Sequence, residues 1–182
     1  PTITPTLRAG NANEANAVIG VALAAGGLEE DVRAVLTRVQ NDLFDVGADL
    51  ALPLQESYAY EPLRVKEDWV TELERDCDTY LERLEPLRSF ILPGGTLAAA
   101  HLHHALTVVR RAERSAWAAV EAHGTGTGTD KGEGGVNTLA ATYLNRLSDL
   151  LFILARVANG GGDVLWQPGG GREEAPERRK KR

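Results

Sequence analysis

The chain predicts an all-α fold, a five-helix bundle in the up-down, ferritin-like arrangement. Three observations carry it. Apolar residues recur at spacings of three and four from about Asn13 to Asn159, glycine and proline cut that pattern into five blocks, and no stretch competes with the alternation a strand requires. Five amphipathic helices joined by mostly short links can bury their apolar stripes against one another or against a second subunit.

The first block, around Ala15, Val18, Ile19 and Ala22, is short and stops at Gly26 and Gly27; residues 1–10 before it are expected to be a flexible start. In the second, Val32, Val35, Val39, Leu43, Val46 and Leu50 mark one buried face, closed by Pro53. The third repeats the rhythm through Val70, Leu73, Cys77, Tyr80 and Leu84, until Pro86 removes an amide donor; Cys77 is therefore expected in the core. The fourth follows Pro93, Gly94, Gly95 and Thr96. Thr96 is suited to cap it by accepting from a free first-turn amide, and Leu102, Ala105, Val109, Ala112 and Ala116 form its core stripe. The fifth runs from about Thr138 to Asn159, with Leu144, Leu147, Leu151 and Leu154 inward and Gly160, Gly161 and Gly162 ending it.

Two segments stand apart. His123–Gly135, HGTGTGTDKGEGG, is too rich in glycine to hold a helix, each glycine costing about 1 kcal/mol relative to alanine, and is expected to be a mobile loop. Residues 169–182 combine glycine, proline and charge and end in ERRKKR; they are expected to be a disordered tail outside a single helical domain spanning 1–168.

Composition narrows the function. The 182 residues are 43% hydrophobic and carry a net charge of -6, so the body lacks the basic field that general nucleic-acid binding needs. No apolar run approaches the roughly 20 residues of a membrane span, and the opening PTITPTLRAG has no signal-peptide pattern. A single cysteine cannot form an internal disulfide, which fits a reducing compartment; cytoplasm is the expected location.

On the fourth helix His103, Leu106, Arg110, Glu113 and Trp117 form a second stripe beside the apolar one. Arginines at such a border suit triphosphate, because their planar forks give paired charge-assisted hydrogen bonds. Spacing alone favours an internal Arg–Glu network instead. On the fifth helix Asn145 and Asp149 share a face with Arg146 beside them, and an asparagine among leucines needs a polar partner, whether ligand or side chain. Phe90, Ile91 and Leu92 put consecutive apolar groups into the loop before the fourth helix. They either plug the bundle end, the commoner case, or face a large apolar ligand. His101, His103 and His104 face different ways and make a poor metal cluster. Asp42, Asp45 and Asp49 line one side of the second helix; magnesium binding is conceivable there, but a solvated or capping role is favoured.

Four motifs occur in order: QNDLFDVGADLA (Gln40–Ala51), FILPGGT (Phe90–Thr96), RRAER (Arg110–Arg114) and YLNRLSDLLF (Tyr143–Phe152). Together they resemble the signature of PduO-type corrinoid adenosyltransferases over roughly Asn13 to Pro168. The resemblance turns the arginine stripe into a nucleotide site. It implies homotrimers that bind ATP and cobalamin between subunits and move the 5'-deoxyadenosyl group of ATP onto cob(I)alamin. In that setting Arg110 is expected at the triphosphate with Glu113 and Arg114 nearby, and Asn145 at the nucleotide, with Arg146 and Asp149 shaping the pocket. Phe90 is expected against the lower face of the corrin ring, where it excludes the axial base and eases reduction of cobalt(II). Magnesium is implied as the partner of the triphosphate, and an adenosylcobalamin-dependent mutase or dehydratase as the recipient of the product.

The chain departs from the family pattern in three places. A TGDKGTT-like opening has no counterpart before Asn11, so its phosphate contacts are not carried over, and the likeness of Gly124–Gly135 to it is compositional. Asn13 and Leu106 stand where the family has an aspartate and an arginine that pair across the subunit interface. These departures leave an alternative, a catalytically weak homologue that binds corrinoid or nucleotide as carrier or sensor. A plain helical assembly module is the third possibility.

Overall fold

The computed structural model describes residues 5–128 and 134–171. Five helices account for its architecture: α1 Pro5–Ala25, α2 Glu30–Ala51, α3 Glu67–Leu81, α4 Leu97–His123 and α5 Thr138–Ala158, followed by a 3-10 turn at Pro168–Gly171. Among the described residues, β-structure is limited to isolated bridges. α4 packs on α1 and α5, α1 on α2, and α3 on α5, so the apolar faces meet in one core.

The buried stripes follow the periodicity with small shifts. On α2 the innermost residues are Val32, Leu36, Val39, Leu43, Val46 and Leu50, while Val35 packs at the margin. α4 and α5 bury every residue of their expected stripes. Thr96 caps α4, its Oγ1 accepting from the Ala99 amide at 3.1 Å, and Asn137 does the same for α5 at Leu139.

Other boundaries differ from the periodicity. α1 starts at Pro5, so the described part of the expected flexible start, Pro5–Gly10, is helical. Its buried face is made of small residues, Ala12, Ala15 and Ala22 around Ile19, which give a faint apolar signal but allow close packing. Proline also suits a first helical position, where its missing amide hydrogen is not needed. α3 ends at Leu81, ahead of Pro86, and Cys77 is half-buried at the edge of the core.

The glycine-rich loop is pinned where it is described. Leu54 N donates to Gly135 O at 3.0 Å, Gly128 N to Leu54 O at 2.9 Å, and Val136 N to Gly124 O at 2.9 Å. A Cβ on Gly135 would lie 2.2 Å from the Gly124 carbonyl oxygen, so glycine there permits a close backbone approach. Residues 129–133 lie outside the described residues, as do 172–182 of the expected disordered tail.

This end of the bundle is locked by Asp49, which is 1% exposed. Its carboxylate accepts from Arg64 Nη1 at 2.6 Å, the Val65 amide at 2.7 Å and Asn137 Nδ2 at 2.7 Å. Arg64 also donates to the Leu52 and Pro53 carbonyls. A buried charge with its oxygens satisfied in this way joins the end of α2, the α2–α3 connection and the cap of α5.

Candidate functional site

The RRAER segment divides its side chains among three directions, as a helix must for consecutive residues. Arg111 pairs with Glu14 on α1. Glu113 turns to α5, where its Oε1 accepts from Asn145 Nδ2 at 2.9 Å. Arg110 and Arg114, four residues apart on one face, are exposed and form no ion pair with another described residue. Arg146 donates through Nη2 to Asn145 Oδ1 at 2.7 Å and pairs with Asp149 at 3.2 Å. Glu113, Asn145 and Arg146 are thus linked by hydrogen bonds, the first of them across the α4–α5 seam, and the ion pair extends the row to Asp149 on the side of α5 that faces Cys77. The partner that Asn145 requires is the Glu113 carboxylate together with Arg146. Arg110 stands one turn from Glu113, at the outer border of that row.

Phe90 lies at the far end of α5 from Asp49. It does not plug the bundle: it is 77% exposed, and Leu92 beside it is also exposed. Its backbone is paired with the segment after α5, Trp166 N donating to Phe90 O at 2.8 Å and Leu92 N to Val164 O at 2.7 Å. The Trp166 ring stands edge-on to the Phe90 ring, centroids 5.8 Å apart at 79°. With Leu87, Arg88, Ser89, Ile91 and Phe152 they line an open cleft of about 560 Å³.

The other candidates separate. His103 is 5% exposed and packs edge-on against Phe152, whereas His101 is half-buried and His104 exposed. Burial lowers the His103 pKa, and the nearby Asp163 carboxylate opposes that shift. Asp42 accepts from the buried Tyr143 hydroxyl at 2.8 Å, and desolvation raises its pKa. Asp49 is the buried anchor described above, so the three aspartates of α2 do not converge. Among the described residues no group of three histidine, cysteine, aspartate or glutamate side chains is arranged to hold a metal ion. Burial pushes the Cys77 thiol up to about 11, which leaves it protonated and unreactive at neutral pH. No helix among the described residues is long and apolar enough to cross a membrane.

Residues 7–158 match the family model described as cobalamin adenosyltransferase. The chain belongs to that family. The corrinoid adenosyltransferase of Mycobacterium tuberculosis is 56% identical over 160 residues, covering 88% of this chain and 78% of that protein. The cobalamin adenosyltransferase of Cupriavidus metallidurans is 42% identical over 163 residues, 87% of this chain and 78% of that protein. A variant PduO-type ATP:corrinoid adenosyltransferase from Lactobacillus reuteri, solved in complex with cobalamin and ATP, superposes with a TM-score of 0.73 at 29% identity, covering 90% of this chain and 86% of that one.

Within this adenosyltransferase-family chain, the structure brings Glu113, Asn145, Arg146 and Asp149 into contact, sets Arg110 and Arg114 on the exposed face beside them, and holds Phe90 at the bundle end. Leu106 is buried inside the protomer and Asn13 is exposed on α1. Phe152 and Trp166, which line the Phe90 cleft, were not singled out by periodicity. Phe152 falls on a helical face that reads as core, and Trp166 sits in a short glycine-flanked stretch with no period to interpret. The available signal for Trp166 was an aromatic four residues after the GGG that ends α5, between two glycine runs.

Proposed function

We propose that this chain transfers the 5'-deoxyadenosyl group of ATP to cob(I)alamin, giving adenosylcobalamin and triphosphate. The observation that carries the site assignment is the pair Arg110 and Arg114, two neighbouring exposed guanidiniums with no ion-pair partner among the described residues, in a chain whose net charge is -6. Family membership supports the chemistry. The cobalt nucleophile attacks the 5' carbon of ATP, the cobalt–carbon bond forms as the bond to the triphosphate oxygen breaks, and triphosphate leaves with the bonding electron pair. The arginines hold that leaving group in line and offset its charge, and no protein nucleophile is required.

Asn145 is assigned to the nucleotide, and Arg146 and Asp149 to keeping it in place, because Arg146 holds the Asn145 amide oxygen and Asp149 holds Arg146. Glu113 fixes the other end of the same amide. Phe90 is assigned to the lower face of the corrin ring: an exposed ring at the rim of an apolar cleft can displace the axial base and leave cobalt(II) easier to reduce. The described residues offer magnesium no cage of their own; it would arrive on the ATP phosphates, keeping part of its water shell, and no step above runs through it.

A homotrimer with ATP and cobalamin between subunits is part of the same proposal. Its support is the exposure, in one protomer, of Arg110 and Arg114 and of the apolar side chains Phe44 and Trp117 on α2 and α4. A cytoplasmic location and delivery to an adenosylcobalamin-dependent mutase or dehydratase complete it.

The test is turnover: adenosylcobalamin formed from ATP and chemically reduced cobalamin, compared between the native protein and Arg110→Ala. The native protein should turn over and Arg110→Ala should lose about 100-fold in kcat/KM, the scale for removing one charge-stabilising donor. A native protein that shifts the cobalamin spectrum without turnover would overturn the reaction. An Arg110→Ala variant of native activity would overturn the site.

A further inference from the structure

Besides the Asp49 anchor, the fold holds a second buried ion pair at the opposite end of α5. Arg156, 7% exposed, donates from Nε to Asp163 Oδ2 at 2.9 Å and from Nη2 to the Glu85 carbonyl at 2.8 Å. The other Asp163 oxygen accepts from Asn159 Nδ2 at 3.3 Å. Asn159 in turn donates to the Gly94 carbonyl at 3.1 Å and accepts from the Thr96 amide at 2.9 Å. The fit is tight: a Cβ on Gly95, whose φ is +103°, would stand 2.1 Å from Asn159 Oδ1. Three chain segments therefore meet around one charge pair: the start of the α3–α4 connection near Glu85, the PGG turn before α4, and the segment that begins at Asp163.

That last segment is the one that holds Phe90. From Asp163 the chain continues directly into Val164, Leu165 and Trp166, which form the short antiparallel bridge to Ile91 and the hydrogen bonds to Phe90 and Leu92. Ser89 Oγ adds a bond to the Trp166 carbonyl at 3.3 Å. Because the Phe90 ring is exposed, core packing does not set its position; the paired backbone and the edge of Trp166 do. A buried ion pair is a poor device for stability, since desolvation offsets most of its attraction, but it enforces one geometry. Here the geometry enforced is the anchor of the 163–166 segment that pairs with Phe90.

We propose that Arg156 and Asp163 are positioning residues for the corrin site, setting the height and tilt of the Phe90 ring through the 163–166 segment and Trp166. The proposal rests on the adenosyltransferase reading above and extends it to residues that do not touch substrate. The ATP side of the site, on the α4–α5 seam around Glu113 and Asn145, is a separate set of hydrogen bonds, so the two substrates should respond differently.

The experiment uses the full chain and four proteins: native, Asp163→Asn, Arg156→Lys and Trp166→Leu. The readouts are the electronic spectrum of bound cob(II)alamin in the presence of ATP, which reports the fraction lacking an axial ligand, the separate KM values for ATP and cobalamin, kcat, and the melting temperature. Asp163→Asn should lower the axial-ligand-free fraction severalfold and kcat by about 10- to 100-fold, the range for a misplaced catalytic group, with the KM for ATP unchanged. Arg156→Lys, which keeps the charge but loses the forked contact, should fall between it and the native protein. If Asp163→Asn fails to fold, Trp166→Leu decides the matter, because Trp166 is half-exposed and lies outside the ion pair: it should reproduce the spectral defect without a fall in melting temperature. Native spectra and rates in these variants would overturn the proposal, as would losses that track melting temperature and affect both substrates alike. Absence of turnover in the native protein would instead overturn the adenosyltransferase reading itself.

Discussion

Across the seam between α4 and α5, Asn145 donates its amide to Glu113 at 2.9 Å while its amide oxygen accepts from Arg146. Both ends of the amide are therefore committed within the protomer. In the proposed nucleotide site that orientation is set in advance, which would lower the ordering cost of binding. Glu113→Ala should release that orientation. The expected outcome is a KM for ATP raised by about tenfold, equivalent to roughly 1.4 kcal/mol, with a stability loss near 1 kcal/mol for one hydrogen bond. Steady-state kinetics with ATP varied, beside a denaturation curve, measures both; an unchanged KM would show that Glu113 has no part in nucleotide binding.

Phe90 gives the opposite balance. Its ring is largely exposed, so Phe90→Ala should change stability by no more than about 0.5 kcal/mol, while adenosylcobalamin formation from cob(II)alamin and a reductant falls sharply. Supplying cobalamin already reduced to cob(I)alamin should restore much of the rate, because the proposed role of Phe90 is in the reduction. A variant equally slow with both forms would place Phe90 in the transfer step instead.

Asp49 should behave as a structural residue. Asp49→Ala leaves Arg64 without its charge partner and strips acceptors from Val65 and Asn137. A loss of about 3 kcal/mol in chemical denaturation is expected, at the lower end for breaking a buried pair because the Arg64 side chain retains some exposure and other acceptors. At temperatures where the variant is folded, its kcat should match the native value.

His103 supplies a pH dependence. Its folded pKa is lowered, chiefly by burial, so the folded protein keeps the ring neutral at pH values where the unfolded chain, with a histidine pKa of about 6.5, takes up a proton. Stability from this group is complete above the unfolded pKa and is lost as pH falls from there toward the lowered folded value. His103 Nε2 is also buried with no hydrogen-bond partner among the described residues. His103→Leu should therefore raise stability by about 1 kcal/mol at pH 8 and by more at pH 5.5. Melting curves at the two pH values check this; a larger gain at the higher pH would reverse the sign of the linkage.

The helices were legible because each records itself locally. Pro53, Thr96 and the glycines after Asn159 mark ends that the structure keeps to within a residue or two, and the leucines of α5 name the buried face directly. α1 was the least legible, since alanine packs closely without looking apolar. The ends of the Gly124–Gly135 segment were hard to read for a related reason: glycine signals backbone freedom in a sequence, yet Gly135 is used for a close approach that no side chain would permit.

The four motifs, read together, were enough to place the chain in its family and to name Phe90, Arg110, Glu113, Arg114, Asn145, Arg146 and Asp149 as a set. Periodicity determines which residues share a helix face, because the 3.6-residue turn is a property of the single helix. It does not determine which residue lies opposite across a packed interface, because that depends on how two helices cross and on what the connecting loops allow. Only the tertiary structure therefore decided that Asn145 meets Glu113, that Asp49 is buried under Arg64 while Asp42 takes the Tyr143 hydroxyl, and that Asp163, five residues beyond the end of α5, returns to Arg156 and carries with it the segment that pairs with Phe90.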